Sequence, residues 1–275
     1  RGATVDIARG LTVAGTDYTA ELPRLWIERL TYRGGYLIAH CIDVWGKLAA
    51  YHAASDISFP ADTVQDIAGD IPGYVGLTRS GSLTSLTIDF TIPKHQNMAA
   101  ALRSLCAKVP EYPYAGLAGV MRFKQIPSTE NAAYTFGWNA DHPVRSAEYT
   151  TALWKYNQVS VTGAVTASGA YSGSVANLAQ QLLAGTRAKA ITDRSLTSNA
   201  ECEQRAQAEL DYYRELATSV DIEVLPCHGL EMFDVIELDS SPWGGSDLTG
   251  RVASITEYHL PGHYTQLVTF SGAVL

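Results

Sequence analysis

The hydrophobic period of this chain changes twice, from two residues to about 3.6 and back to two, so neither an all-helical nor an all-strand architecture accommodates it. Near the start, Leu25 to Thr31 and Tyr36 to Asp43 are rich in Ile, Leu, Tyr and Trp and are joined through Tyr32, Arg33, Gly34 and Gly35. Adjacent glycines supply the positive φ that a tight turn needs, and a hairpin is expected. From about residue 53 the pattern turns helical: Val64, Ile67, Ala68 and Ile71 fall at i, i+3, i+4 and i+7 until Pro72 and Gly73. Met98, Ala101, Leu102, Leu105, Cys106 and Val109 repeat that spacing until Pro110 stops it. Strands are expected around these helices at Leu86 to Ile92, Gly119 to Ile126 and Ala133 to Trp138.

Period two returns at Asn157 to Val165, where Val159, Val161, Gly163 and Val165 alternate with their neighbours. A short helix is expected over Ser174 to Ala184, ended by Gly185. A longer one follows over Asn199 to Ala217, where Ser198 and Glu201 form a capping box and Cys202, Ala206, Leu210, Tyr213 and Ala217 share one face. Glu201 and Arg205 stand at the favourable i, i+4 spacing. Val220, Ile222 and Val224, then Asp234 to Leu238, then Arg251 to His259 and Tyr264 to Ser271 across Pro261, Gly262 and His263, return the chain to strand.

The expected fold is therefore α+β and β-rich, with two β modules flanking a small α/β insert. The first module takes residues 1–52, the insert 53–150 and the second module 151–275, which carries the helix at about 199–217. Entry into a strand-like stretch, Ala3 to Ala8, directly after Arg1 reads as a portion of something longer, with the first module incomplete at its start. The opening and closing hairpins share a rhythm of about eight residues, a glycine-containing tip and eight more, a pattern compatible with internal duplication.

A net charge of −8 leaves no basic field to hold a nucleic-acid backbone, so stable DNA or RNA binding is not expected; an acidic surface is compatible with a passage that a polyanion such as DNA crosses only in transit. Cys41, Cys106, Cys202 and Cys227 form no C-x-x-C, which argues against a zinc knuckle or a disulfide scaffold; Cys106 and Cys202 read as small buried hydrophobes. No apolar run approaches a membrane span and no signal-peptide pattern opens the chain. No cofactor is implied.

Three constellations invite a chemical reading. His259 and His263 are four apart, but Pro261 and Gly262 break the helix that a zinc pair would need, leaving either exposed turn histidines, the expected reading, or a hairpin tip that brings both rings together with Glu257. Cys227 and His228 are neighbours, and neighbours on an extended chain point apart. Glu201, Glu203 and Glu209 belong on a solvated helix face rather than across a substrate. G-x-S-x-G and Walker A patterns are absent, and no catalytic residue is expected. Ser240 to Gly250, SSPWGGSDLTG, is a loop whose Trp243, with Ser241 and Asp247, either forms an interface or receptor contact or covers a barrel end.

The order of these elements resembles the hub family of phage tails, which is related to the base of type VI secretion spikes. The likeness is carried by LIAHCIDVWGKL (Leu37 to Leu48), by ITDRSLTSNAECEQRAQAEL (Ile191 to Leu210), and by EMFDVIEL with LTGRVASITEYHLPGHYTQLVTF in the closing strands. The resemblance implies a virion structural protein at the tail tip or baseplate. It implies that the two β modules flanking the α/β insert are β-barrel-like tube modules, and a homotrimer whose two barrels per subunit make a pseudo-sixfold ring, so that a threefold tip joins a sixfold tube. Its implied partners are a distal tail protein or tail tube protein, the tape measure protein, and a spike or tail fibre proteins. Two alternatives stand beside it: the scaffold of a tail-associated wall hydrolase, and a receptor or glycan-binding module.

Overall fold

The computed structural model describes residues 2–109, 111–125, 130–138, 140–239, 247–260 and 263–274. It is α+β and β-rich, and it divides into two compact units: residues 1–125 with 162–172 and 193–205, and residues 126–161 with 173–192 and 206–275.

The chain opens with β1 (Thr4–Val5), β2 (Ala8–Val13), β3 (Thr16–Glu21), β4 (Leu25–Arg33) and β5 (Tyr36–Ile42). β2 and β3 form one hairpin, and β1, β4 and β5 form an antiparallel sheet in that order. Both hairpins reverse through two residues of positive φ, Ala14 (51°) with Gly15 (81°) and Gly34 (58°) with Gly35 (83°). Such turns match the twist of the strands they join. The expected glycine tip is the turn, although the strands run closer to it, through Tyr32 and Arg33.

Asp43 starts α1 (Val44–Ala50) by accepting from the Gly46 N–H at 2.9 Å. After β6 (Ile57–Thr63), Thr63 caps α2 (Val64–Gly73); β7 (Thr78–Ser80) and β8 (Thr87–Ile92) follow, and Asn97 caps α3 (Met98–Cys106). β9 (Glu111–Ala115) and β10 (Val120–Gln125) complete a mixed sheet in the order β7–β10–β9, while β6 pairs with β8. The periodicities explain the packing. Ile67, Ile71, Leu102 and Leu105 are fully buried on the expected helix faces, and β8 alternates so that Ile88, Phe90 and Ile92 face inward.

The remaining elements are β11 (Tyr134–Gly137), β12 (His142–Thr151), β13 (Gln158–Thr166), β14 (Gly169–Ala176), α4 (Leu178–Ala184), β15 (Ala188–Thr192), α5 (Asn199–Ala217), β16 (Thr218–Val224), β17 (Val235–Leu238), β18 (Leu248–Leu260) and β19 (His263–Val274). Six of them close a barrel in the order β11–β12–β16–β19–β18–β17, sealed by β11, which runs parallel to both of its neighbours. Phe136, Ile222, Val252, Val268 and Phe270 fill its interior without solvent exposure. Closure leaves these strands no free edge. β13 lies between β14 and β15 in a separate sheet.

Two expectations need correction. The helix expected over Ser174 to Ala184 begins only at Leu178, because residues to Ala176 belong to β14. Asn177 makes the switch: its side chain accepts from the Gln180 N–H at 3.0 Å while its own N–H donates to the Asn157 carbonyl at 2.9 Å. β12 was not expected at all. A bulge between Val144 and Ser146 shifts its register, so inward Val144 is followed by partly buried Ala147 and Tyr149 and the period-two signal breaks.

Candidate interaction surfaces

The polar clusters are built to hold the fold. Lys108, just beyond α3, is buried and ion-paired with Asp193; its Nζ also donates to Ser195 Oγ at 2.8 Å, and that hydroxyl donates to Asp193 Oδ1 at 2.6 Å. Burial, against the pull of Asp193, lowers the Lys108 pKa. Burial alone would raise that of Asp193, but hydrogen bonds from Lys108 and Ser195 and the charge of Lys108 hold it below the usual carboxylate range. An ammonium already paired with a carboxylate is no base for the serine, so the trio is a clamp tying residues 193–195 to the end of α3.

A second cluster corrects one expectation. Glu209 does not lie on a solvated face: Lys189 Nζ reaches it at 2.6 Å and the Tyr213 hydroxyl at 2.9 Å, with the Tyr156 and Tyr213 rings also flanking the ammonium. Burial opposes the charged form of Lys189, but these partners outweigh it and raise its pKa. Glu201 completes the expected capping box, accepting from the N–H groups of Thr197 and Ser198 while its own N–H donates to Ser198 Oγ at 3.2 Å. Glu203 is exposed. The three glutamates therefore have three different surroundings, and none faces another across a cleft.

Within the barrel unit, Glu257 accepts from the Tyr264 hydroxyl at 3.1 Å and from Gln266 Nε2 at 2.9 Å, while Gln266 Oε1 accepts from the Cys227 N–H. His228 stacks near Tyr264 with ring centroids 5.6 Å apart. His259 and His263 stand on the paired strands β18 and β19, and their side chains lie outside the described residues. Cys106 and Cys202 are buried as expected, and burial pushes both thiols up. Among the described residues, no group of three or more His, Cys, Asp or Glu gathers to hold a metal ion, and no helix is long and apolar enough to cross a membrane.

Ser241 and Trp243 lie outside the described residues; Asp247 is exposed immediately before β18. Two surfaces that the sequence reading passed over are both apolar. α4 buries none of its residues and turns Leu178, Leu182 and Leu183 to solvent, Leu182 at 89% exposure. The other is the outer part of the β4–β5 ribbon, where Leu30, Tyr32, Tyr36, Leu37 and Ile38 are all exposed. Its signal was present in the sequence, since Leu30 and Tyr32 come to lie opposite Ala39 and Leu37 once the turn is placed at Gly34 and Gly35.

No protein-family model and no curated protein matches the sequence. Solved structures match the fold over nearly the whole chain. The tail protein from Neisseria meningitidis MC58 superposes with a TM-score of 0.69 at 12% identity, covering 98% of this chain and 86% of that one. The 43 kDa tail protein of prophage MuSo2 from Shewanella oneidensis gives 0.66 at 11%, covering 98% and 89%. Prophage tail protein gp18 from Listeria monocytogenes EGD-e gives 0.59 at 14%, covering 98% and 84%. At such identities it is the fold that is shared: this chain has the fold of phage tail proteins.

Proposed function

We propose that the chain is a structural virion protein, a hub adaptor at the tail tip or baseplate that assembles as a homotrimer. It closes the tail tube, joins it to a spike or fibres, and forms part of the channel through which the genome leaves. The observation that carries this reading is the fold match to tail proteins over 98% of the chain. In the trimer, modules at 1–52 and 151–275, the second completed by β11 and β12 from the end of the insert at 53–150, give the pseudo-sixfold ring that meets a sixfold tube. Its neighbours are a distal tail or tube protein, the tape measure protein and the spike or fibres, with the loop of Ser241, Trp243 and Asp247 as one contact. A net charge of −8 suits a wall past which DNA slides without sticking.

The reading is non-enzymatic. Lys108, Asp193, Ser195, Lys189 and Glu209 are engaged with one another or with tyrosines, which favours structural roles for them. Sedimentation of the purified chain at micromolar concentration, alone and with the tail tube protein, tests the proposal. A trimer that forms a ring on the tube end is expected; a stable monomer that forms no ring overturns it.

A further inference from the structure

Beyond its base, the β4–β5 ribbon pairs with no other strand among the described residues. β1 pairs with β4 at Leu25 and Trp26, Gly2 and Ala3 hydrogen-bond to the backbone of Ile27, and Trp26 is held in place, its ring against Gly119 and the Lys47 ammonium 4.5 Å above it. Past the irregularity between Ile27 and Arg29, five cross-strand pairs remain, from Arg29 with His40 to Arg33 with Tyr36. Facing residues of an antiparallel pair share a side of the ribbon. One side is thus wholly apolar, with Leu30 opposite Ala39 and Tyr32 opposite Leu37; the other carries Arg29 and His40, Thr31 and Ile38, Arg33 and Tyr36. Tyr32 is 81% exposed, Tyr36 75% and Leu37 54%, and β5 is the outer strand of its sheet. A two-stranded ribbon with an uncovered apolar side is marginal in water and marks a contact surface.

Charge and area indicate what covers it. Arg29 and Arg33 make the ribbon locally basic in a chain of net charge −8, so another copy offers a surface of opposite sign on balance. Five pairs span about 17 Å, and the apolar side of two strands offers roughly 200 Å². That is about a quarter of the ~800 Å² each partner gives to a standard interface, so the arm is one part of a larger contact. In a ring each copy both extends an arm and receives one, and head-to-tail contacts are those that close rings.

We infer that the β4–β5 ribbon is an arm that docks on the next copy of this chain, with its Leu30, Tyr32, Leu37 and Ala39 side as the buried face. The inference rests on the proposed self-association and names the surface that carries it. It is tested with Leu30→Asp/Leu37→Asp and, separately, Arg33→Glu, by sedimentation at several concentrations and thermal melting of each protein. The paired substitution should weaken self-association at least about 100-fold, the scale of a lost hot spot. Arg33→Glu should weaken it less and with a changed salt dependence, and both should melt with the parent at a concentration where all are monomeric. A parent that stays monomeric overturns the self-association and the arm together. A parent that associates while the paired variant associates equally well overturns the arm alone, and so does a variant that loses its fold, since the face would then be buried within the monomer.

Discussion

Lys108→Met isolates what the clamp at residues 193–195 contributes. Methionine keeps most of the length and packing of the lysine stem but removes the ammonium, leaving Asp193 without its cation. The Lys108 side chain is 7% exposed and that of Asp193 18%. Breaking a buried pair by removing one partner costs about 3–5 kcal/mol, because the remaining charge is uncompensated. Asp193 keeps the Ser195 N–H at 3.2 Å and hydroxyl at 2.6 Å, which places the expectation at the low end, about 3 kcal/mol. At about 2–4 °C per kcal/mol, the melting temperature should fall by about 9 °C. Calorimetry on the parent, Lys108→Met, and Lys108→Met/Asp193→Leu measures it, and the double variant should recover most of the loss because no charge remains unpaired. The pH dependence carries a sign as well. The carboxyl of Asp193 is held below its ordinary range, so its contribution is present above the unfolded aspartate pKa and lost as pH falls through the folded value. The deficit of Lys108→Met should therefore shrink in acid. A single variant as stable as the parent, or a double variant no better than the single, would refute the clamp.

Two further substitutions test neighbouring details. A Cβ at Gly163 would stand 2.6 Å from the Leu196 carbonyl oxygen and 2.9 Å from Cys202 Sγ, so Gly163→Ala should destabilise by about 2 kcal/mol, read as a lowered denaturant midpoint. Adding Cys202→Ala should recover little, because the carbonyl clash remains; full recovery would show that only the sulfur was in the way. Burial pushes the Glu215 carboxyl up despite Arg214 and Arg251, so its contribution is present below the unfolded glutamate pKa and lost as pH rises through the folded value. Glu215→Gln should therefore gain on the parent as pH climbs from about 4 to about 7, and a difference independent of pH would contradict the assignment.

Local signals identified the elements whose chemistry is local. Ser198 and Glu201 placed the start of α5, and the spacing of Ile67, Ile71, Leu102 and Leu105 placed the buried faces of α2 and α3. Where the expectation failed, a distant partner decided. Ser174 to Ala176 became strand because β13 pairs with it, and β12 was hidden because a bulge in its pairing with β16 interrupts the alternation. Glu209 looks like any solvated helix glutamate until Lys189, 20 residues away, is brought to it.

The sequence by itself determined the order of β, α/β and β regions, the absence of a basic field and the likeness to tail hubs, because period, charge and composition are properties of neighbouring residues. Only the tertiary structure decided that six strands close into a barrel, that Lys108 meets Asp193 across 85 residues, and that the β4–β5 ribbon keeps an apolar face in water. Pairing and burial depend on which distant segments arrive, and loop closure over such separations leaves no mark on the local pattern.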